Sequence, residues 1–282
     1  MECTKITGDI LKWFIPLLSE PYAEAIKSGT AFAVGAADNG TACGVLVFST
    51  TAPPVIDIEY IAVGDKFRRK GVATAMLKFL CGFAEESLSP IFCSFSASGK
   101  DDPKYLFFEE NENFSVSEEE GFICELNASA LKNTKLPAVT ENSMSIVPFF
   151  SLPKPDRNTF WFSLQRDGVS YPSGISDGTD CEESLCLCAR SKDGIQAAAF
   201  IEDNAEEGLY LSFVWCAENI SAQKQLVSLL DKLIKTVSET KPDTKLTIAA
   251  ITPASTALVN KLLPEREIIA RFYSAAWDMN EI

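Results

Sequence analysis

The chain has 282 residues, 46% hydrophobic and 23% charged, with a formal net charge of −14. That length suits two domains of ordinary size, and the apolar content excludes disorder over most of the chain. The acidic excess excludes a general nucleic-acid binder, which needs a basic face to displace counterions; it argues against docking on an anionic membrane and suits a cationic partner such as an amine.

The N-terminal residues lack the basic and apolar segments of a signal peptide. No apolar run approaches the roughly 18–20 residues needed to span a bilayer. The nine cysteines lie mostly in apolar runs such as Ile91-Phe92-Cys93 and Leu185-Cys186-Leu187-Cys188, where a free thiol behaves as a small hydrophobe. Their odd number and setting point to a reducing, cytoplasmic location. Cys181, Cys186 and Cys188 form no CxxC pair, and without histidine no metal site is expected from them. The absence of histidine also removes every Ser-His-Asp and Cys-His arrangement. A general base must be a carboxylate, tyrosine, lysine, cysteine or ordered water.

Taken in chain order, Ile10 to Ile26 has helical spacing with a break expected near Pro21. Ala31–Ala37 and Cys43–Ser49 read as strands joined by the hairpin turn Asp38-Asn39-Gly40. Val55–Val63 is a third strand. Gly71–Glu86 is an amphipathic helix with Ala73, Met76, Leu77, Leu80 and Ala84 on one face. Ile91–Phe95 reads as a buried strand, Tyr105–Glu110 as a short helix, and Phe114–Leu126 as a strand pair or one long strand. The segment from Ser129 to Pro155 is polar and proline-containing. Its patch Ile146-Val147-Pro148-Phe149-Phe150 is assigned as the last strand of the first copy, and Pro153-Lys154-Pro155 as a linker.

The same order of elements then returns. Ser184–Ala189 and Ile195–Ile201 form a hairpin across Lys192-Asp193-Gly194. Leu209–Cys216 is a strand, Ala222–Thr240 a helix, Leu246–Ile251 a strand, Ser255–Leu263 a helix and Ile268–Met279 a final strand. Ile61 aligns with Val214, Leu77 with Leu230 and Leu80 with Leu233 at one common offset. The chain is therefore expected to be a tandem duplication of an α/β (α+β) fold, each copy a mixed, mostly antiparallel sheet flanked by helices. The boundary is placed at residue 148, giving domains 1–148 and 149–282.

One segment carries chemistry. After Ile58-Glu59-Tyr60-Ile61-Ala62-Val63 comes the polar loop Gly64-Asp65-Lys66-Phe67-Arg68-Arg69-Lys70, followed by Gly71-Val72-Ala73-Thr74 at a helix start. A helix N-terminus offers unpaired amides and a partial positive charge, a ready seat for phosphate. Arg68, Arg69 and Lys70 make this stretch locally basic in an acidic chain.

Arg68-x-x-Gly71-x-Ala73 resembles the R/Q-x-x-G-x-G/A motif of the GNAT acyltransferases, and Ile61-Ala62-Val63 resembles the strand end that precedes it. The resemblance implies that the amides of Arg68 to Thr74 hold the pyrophosphate of acetyl-CoA. It implies also that the backbone of Ile61 and Val63 pairs with the pantetheine arm. The family commonly places a carboxylate on the preceding strand as base, and Glu59 stands where that glutamate is often found. Strand alternation puts Asp57, Glu59, Ile61 and Val63 on one face, so Glu59 is the first candidate base and Asp57 the second. The family's tyrosine acid falls in a pattern F-Y-E-K-x-G-F. Here Phe107-Phe108-Glu109-Glu110-Asn111-Glu112-Asn113-Phe114 puts Phe108 at the tyrosine position and Asn113 at the glycine, which leaves Tyr105 as the candidate acid.

At the common offset Glu59, Arg68, Gly71 and Ala73 become Ser212, Ser221, Lys224 and Leu226, so the second copy keeps the apolar pattern and loses the chemistry. The resemblance implies transfer of an acetyl group from acetyl-CoA to a primary amine, of a small molecule or a peptide, by direct attack in a ternary complex. The alternative is a non-catalytic coenzyme A-binding or interaction protein. The second copy is expected to give structure, to close the acceptor groove or to pair chains into a homodimer.

Overall fold

The computed structural model describes residues 1–51, 54–111, 113–134, 136, 145–169, 181–204 and 208–277. They form two compact units, residues 1–119 with 271–282 and residues 120–270. Among them, no helix is long and apolar enough to cross a membrane.

In the first unit, β1 (Glu2–Lys5), α1 (Gly8–Phe14), a 3-10 turn (Ile15–Leu17) and α2 (Glu20–Ser28) precede the hairpin β2 (Phe32–Asp38) and β3 (Thr41–Thr50). Then follow β4 (Ile56–Val63), a 3-10 turn (Asp65–Phe67), α3 (Val72–Ser87), β5 (Ile91–Ala97), α4 (Pro103–Glu109) and the start of β6 (Phe114–Asn127). The hairpin turns through Asn39 and Gly40 at φ 48° and 76°, the left-handed pair that a two-residue loop between twisted strands requires. The N-terminal helix breaks at residues 15–18, while Pro21 sits in the first turn of α2, where its missing amide costs no bond.

The sheet is covered on both faces. On one side Met76, Leu77, Leu80 and Ala84 of α3 pack on Leu46, Phe48, Ile56, Ile58 and Ile91. On the other, Leu11 and Phe14 pack on Ala33, Val45 and Val47. Glycine is needed where helix meets strand. A Cβ on Gly44 would lie 2.6 Å from Val72 Cγ1, and one on Gly35 would lie 2.4 Å from the Phe14 ring. The bare strand thus lets α3 sit close enough to aim its first turn past the end of β4.

The second unit takes the rest of β6, a 3-10 segment (Ala128–Asn133), β7 (Ser145–Pro148), a 3-10 turn (Phe149–Ser151) and α5 (Lys154–Arg166). It continues through β8 (Cys181–Ser191), β9 (Gly194–Asn204), β10 (Gly208–Cys216), α6 (Ile220–Thr240), β11 (Lys245–Ala250), α7 (Pro253–Leu262) and the start of β12 (Glu267–Trp277). The duplication is plain in the strand order. β1-β2-β3-β4-β5 in one unit matches β7-β8-β9-β10-β11 in the other, and β4–β5 and β10–β11 are the parallel pairs.

Three assignments change. Ile146–Phe150 is not the last strand of the first copy: β7 pairs with β8 and opens the second unit as β1 opens the first. Pro153-Lys154-Pro155 is not a linker but the start of α5, which buries Phe160, Trp161 and Leu164; proline at a helix start forfeits nothing. Packing, finally, groups the chain differently from a single cut at 148, and the second repeat opens before that residue, at β7. The closing strand beside β5 is β12, with Arg271–Trp277 antiparallel to Ala97–Ile91, while Phe122–Asn127 of β6 closes on β11. Each repeat gives the later part of its last strand to the other unit. The end of the predicted last strand, at Met279, lies outside the described residues.

Two stability predictions follow from these contacts. Trp277 is 2% exposed in the core beneath α3. Trp277→Ala is expected to destabilise the first unit by about 3–5 kcal/mol, read as a lower melting temperature in calorimetry. Asp102 caps α4, accepting from the Lys104 amide at 2.8 Å and from the Ser98 amide at 3.0 Å. The Ser98 amide bond, with the cap, holds its carboxyl below the ordinary range. Its contribution is therefore present at neutral pH and disappears as acid protonates it. Asp102→Ala should cost about 1 kcal/mol in urea melts at pH 7, and less at pH 3.

Candidate functional site

The ladder between β4 and β5 is short. Ile56, Asp57 and Ile58 pair with Ile91, Phe92 and Cys93, and no further. β4 then runs on to Val63, still paired with β3 through Tyr60–Val63, while β5 runs on to Ala97 against β12. Two parallel strands that part in this way leave a wedge with unpaired main chain along the inner edge of β4.

The parting begins at a β-bulge. Val47 of β3 is opposite Tyr60 and Phe48 is opposite Ile58, so Glu59 has no partner across the ladder. The extra residue reverses the alternation of side chains. Ile56 and Ile58 pack under α3 together with Ile61 and Val63, whereas Tyr60 and Ala62 pack toward α1 and α2. Asp57, Glu59, Ile61 and Val63 therefore do not share one face as unbroken alternation predicts. Glu59 sits exposed at the kink and Asp57 is half-buried at the closed end of the wedge. The carboxylate of Asp57 adds to burial in pushing the Cys93 thiol up to about 12.

Beyond β4 the chain tightens. The Gly64 amide bonds the Cys43 carbonyl at 3.0 Å and the Phe67 amide the Gly64 carbonyl at 2.8 Å. Arg68 folds back on the turn, its guanidinium 2.9 Å from Asp65 and its Nε 3.4 Å from the Val63 carbonyl. Arg69 and Gly71 take left-handed conformations at φ 60° and 76°, which turn the chain into α3. The first amide of this turn bonded within the helix is that of Ala75, to Gly71 at 2.9 Å. Among the described residues the amides from Arg69 to Thr74 have no protein acceptor. A Cβ on Gly71 would meet nothing within 4 Å, so the space before these amides is open. Arg69, Lys70 and Gly71 are exposed, Val72 is buried, and Ala73 and Thr74 are half-buried. These features fit an anionic group lying on the N-terminus of α3, continuous with a chain laid along β4.

The candidate acid is elsewhere. Phe108 is 3% exposed, stacked on Phe95 with ring centroids 5.1 Å apart. Asn113 adopts φ 74°, the backbone a glycine would take. Tyr105 is buried with its ring edge-on to Tyr273 at 5.1 Å. Burial first, then the Glu109 carboxylate, raises its phenol above the ordinary range; Glu109 and Glu118 act on it, and Lys100 Nζ lies 6.0 Å from its ring centroid. Two tyrosines not singled out in the sequence stand at the bulge instead. Tyr22 of α2 donates to the Glu59 carbonyl at 3.1 Å, its ring 4.9 Å from that of Tyr60, and Tyr60 donates to the Leu17 carbonyl at 3.0 Å. Tyr60 alternates with the apolar strand residues, but no spacing links it to Tyr22.

The second unit repeats the wedge without the turn. Leu209–Leu211 pair with Leu246–Ile248 and the ladder ends there, beside a bulge at Ser212, the residue at the offset from Glu59. But α6 begins more than a helical turn earlier than α3 does in its repeat. Asn219 caps it, accepting from the Ala222 amide at 2.8 Å. Ser221, Lys224 and Leu226 thus lie inside a helix, not on a glycine turn. Of the cysteine trio, Cys186 and Cys188 are buried in an aromatic core, and the side chain of Cys181 lies outside the described residues.

Residues 7–122 match the sequence model of the Acetyltransferase (GNAT) family. No curated protein matches the chain. Among solved structures, a tandem GNAT protein from the clavulanic acid biosynthesis pathway is similar, with a TM-score of 0.62 at 12% identity, over 98% of each chain. A GCN5-related N-acetyltransferase from Sphaerobacter thermophilus gives 0.56 at 12% identity, over 98% of this chain and 94% of its own. One from Anabaena variabilis gives 0.55 at 12% identity, over 97% and 72%. Residues 7–122 are a domain of the GNAT acetyltransferase family, and the whole chain carries the fold of tandem GNAT proteins.

Proposed function

We propose that the first unit is an N-acetyltransferase that uses acetyl-CoA and a primary amine. The observation that carries this reading is the run of unpartnered amides from Arg69 to Thr74 at the open end of the wedge. The amides of Arg69 to Thr74, with the side chains of Arg69 and Lys70, would hold the pyrophosphate, the Arg68 amide being engaged by the Asp65 carbonyl at 3.4 Å, and the backbone of Ile61, Ala62 and Val63 would hold the pantetheine arm. Bound there, acetyl-CoA supplies an activated acyl thioester.

Glu59, exposed at the bulge, would take the proton from the attacking amine, directly or through a water, and Asp57 is the second candidate. Tyr105 would be the proton donor only if it turned from Tyr273. Direct transfer in a ternary complex is the reading favoured by the first unit's thiols, Cys3, Cys43, Cys81 and Cys93, all of which burial raises above the ordinary range. Burial pushes Cys81 and Cys124 up to about 11, and Cys93 and Cys188 up to about 12, so none is a thiolate at neutral pH. The net charge of −14 favours approach of a cationic amine of a small molecule or peptide. The second unit has a capped, longer helix in place of the turn and would bind no coenzyme A. We read it as a structural partner repeat in a cytoplasmic protein, and it could also pair chains.

A second reading is a coenzyme A-binding protein without turnover. The burial of Phe108 where the family has its tyrosine favours it.

Calorimetric titration of acetyl-CoA should show one site per chain. Gly71→Glu, which puts a carboxylate before the free amides, and the exposed Arg69→Glu should each weaken it at least tenfold, about 1.4 kcal/mol. Two sites would mean that the second unit also binds, and none would overturn the acyltransferase reading. With acetyl-CoA and a panel of primary amines, product is expected by mass spectrometry. Glu59→Gln should lower turnover by about a hundredfold or more with acetyl-CoA affinity unchanged. Binding with no product from any amine would favour the second reading.

A further inference from the structure

A bulged residue has lost its partner across the ladder, so something else must fix its main chain. At Glu59 that role falls to a side chain from a distant segment. The hydroxyl of Tyr22 donates to the Glu59 carbonyl at 3.1 Å. Its ring lies against that of Tyr60, the next residue in the strand, with centroids 4.9 Å apart and a tilt of 33°. The Tyr60 hydroxyl in turn donates to the Leu17 carbonyl at 3.0 Å. Two crossing links therefore tie α2 and the turn before it to the strand, one on the bulged residue and one on its neighbour.

We propose that Tyr22 is a positioning residue, which holds the bulge carbonyl of Glu59 so that its carboxylate faces the open wedge. The inference rests on the proposed role of Glu59 as base. The Tyr22 phenol is raised above its ordinary range, by burial first and then by the charge of Glu59. It therefore remains a protonated donor across the neutral range, and the link does not switch with pH. A tyrosine that only filled space among Tyr60, Leu17 and Leu18 would lose nothing essential on replacement by phenylalanine. A positioning tyrosine acts through its hydroxyl, and phenylalanine removes that alone.

The test is a double-mutant cycle of Tyr22→Phe and Glu59→Gln, with acetyl-CoA and butylamine as the probe amine. Tyr22→Phe should lower kcat by about ten- to a hundredfold, with the KM for acetyl-CoA and its calorimetric affinity unchanged. In the Glu59→Gln background it should cause no further loss. Amide hydrogen exchange, which needs no turnover, should quicken at Tyr60 and Ile61 in Tyr22→Phe and stay unchanged at Val45 and Met76. Wild-type exchange at Tyr60 and Ile61 overturns the proposal, and decides it alone if butylamine is not acetylated. Additive losses in the cycle also overturn it, since Tyr22 would then act independently of Glu59. Wild-type turnover in Glu59→Gln would instead overturn the role of Glu59 as base, an outcome the exchange data keep separate.

Discussion

Everything at the candidate site follows from three paired residues. A parallel ladder that ends at Ile58 and Cys93, with both strands continuing, leaves one strand edge with hydrogen-bonding groups that no other strand satisfies. Unpaired strand edges are costly to leave dry and invite an extended partner. The bulge at Glu59 makes the parting sharp, because one extra residue bends β4 away while β3 keeps its grip. The bend brings the end of β4 to a turn of two left-handed residues, Arg69 and Gly71, and from there to a helix with open amides. Strand edge, kink and helix terminus follow one another directly because they are consecutive in the chain.

The second unit separates the architectural part of this device from the chemical part. Its ladder parts at the equivalent residue, Leu211, beside an equivalent bulge at Ser212. What differs is the following loop. Without the basic residues and the glycine, α6 extends backward and satisfies its own first turn through Asn219. Helix propagation is favourable once nucleated, so a turn of open amides persists only where residues such as Arg69 and Gly71 hold the chain out of helical conformation. The wedge comes from the sheet, and the open amides from a few loop residues.

Much of this was legible in the sequence. The repeat, both hairpins, the long helices and the glycine turn announce themselves through spacing and turn chemistry, which act over a few residues. Three things were not legible, each because the deciding partner is far away. The bulge at Glu59 hides because Tyr60, Ile61, Ala62 and Val63 are all apolar, so that the strand can be read as alternating on either face until β3 shows the slipped register. Tyr22 hides because a hydroxyl bonded to a main-chain carbonyl 37 positions away leaves no pattern. β7 was given to the wrong copy because Ile146-Val147 has strand character and no indication of which strand it joins; β8 decides that. Helix α5 could have been found, since Pro153 and Pro155 mark a helix start as readily as a linker when Phe160, Trp161 and Leu164 follow at helical spacing.

The exchanged closing strands set an order of assembly during synthesis. Arg271–Trp277 emerges from the ribosome long after Ile91–Ala97, the strand it pairs with. At roughly 5–20 residues per second, β5 waits many seconds with one edge bare, and the loop to be closed holds the whole second unit. Such long-range pairing is slow, and an open strand edge can be captured by another nascent chain. β12, made long after β5, completes the first unit. A chain stopped before residue 271 would carry every residue of the proposed site beside a β5 whose other edge is still bare.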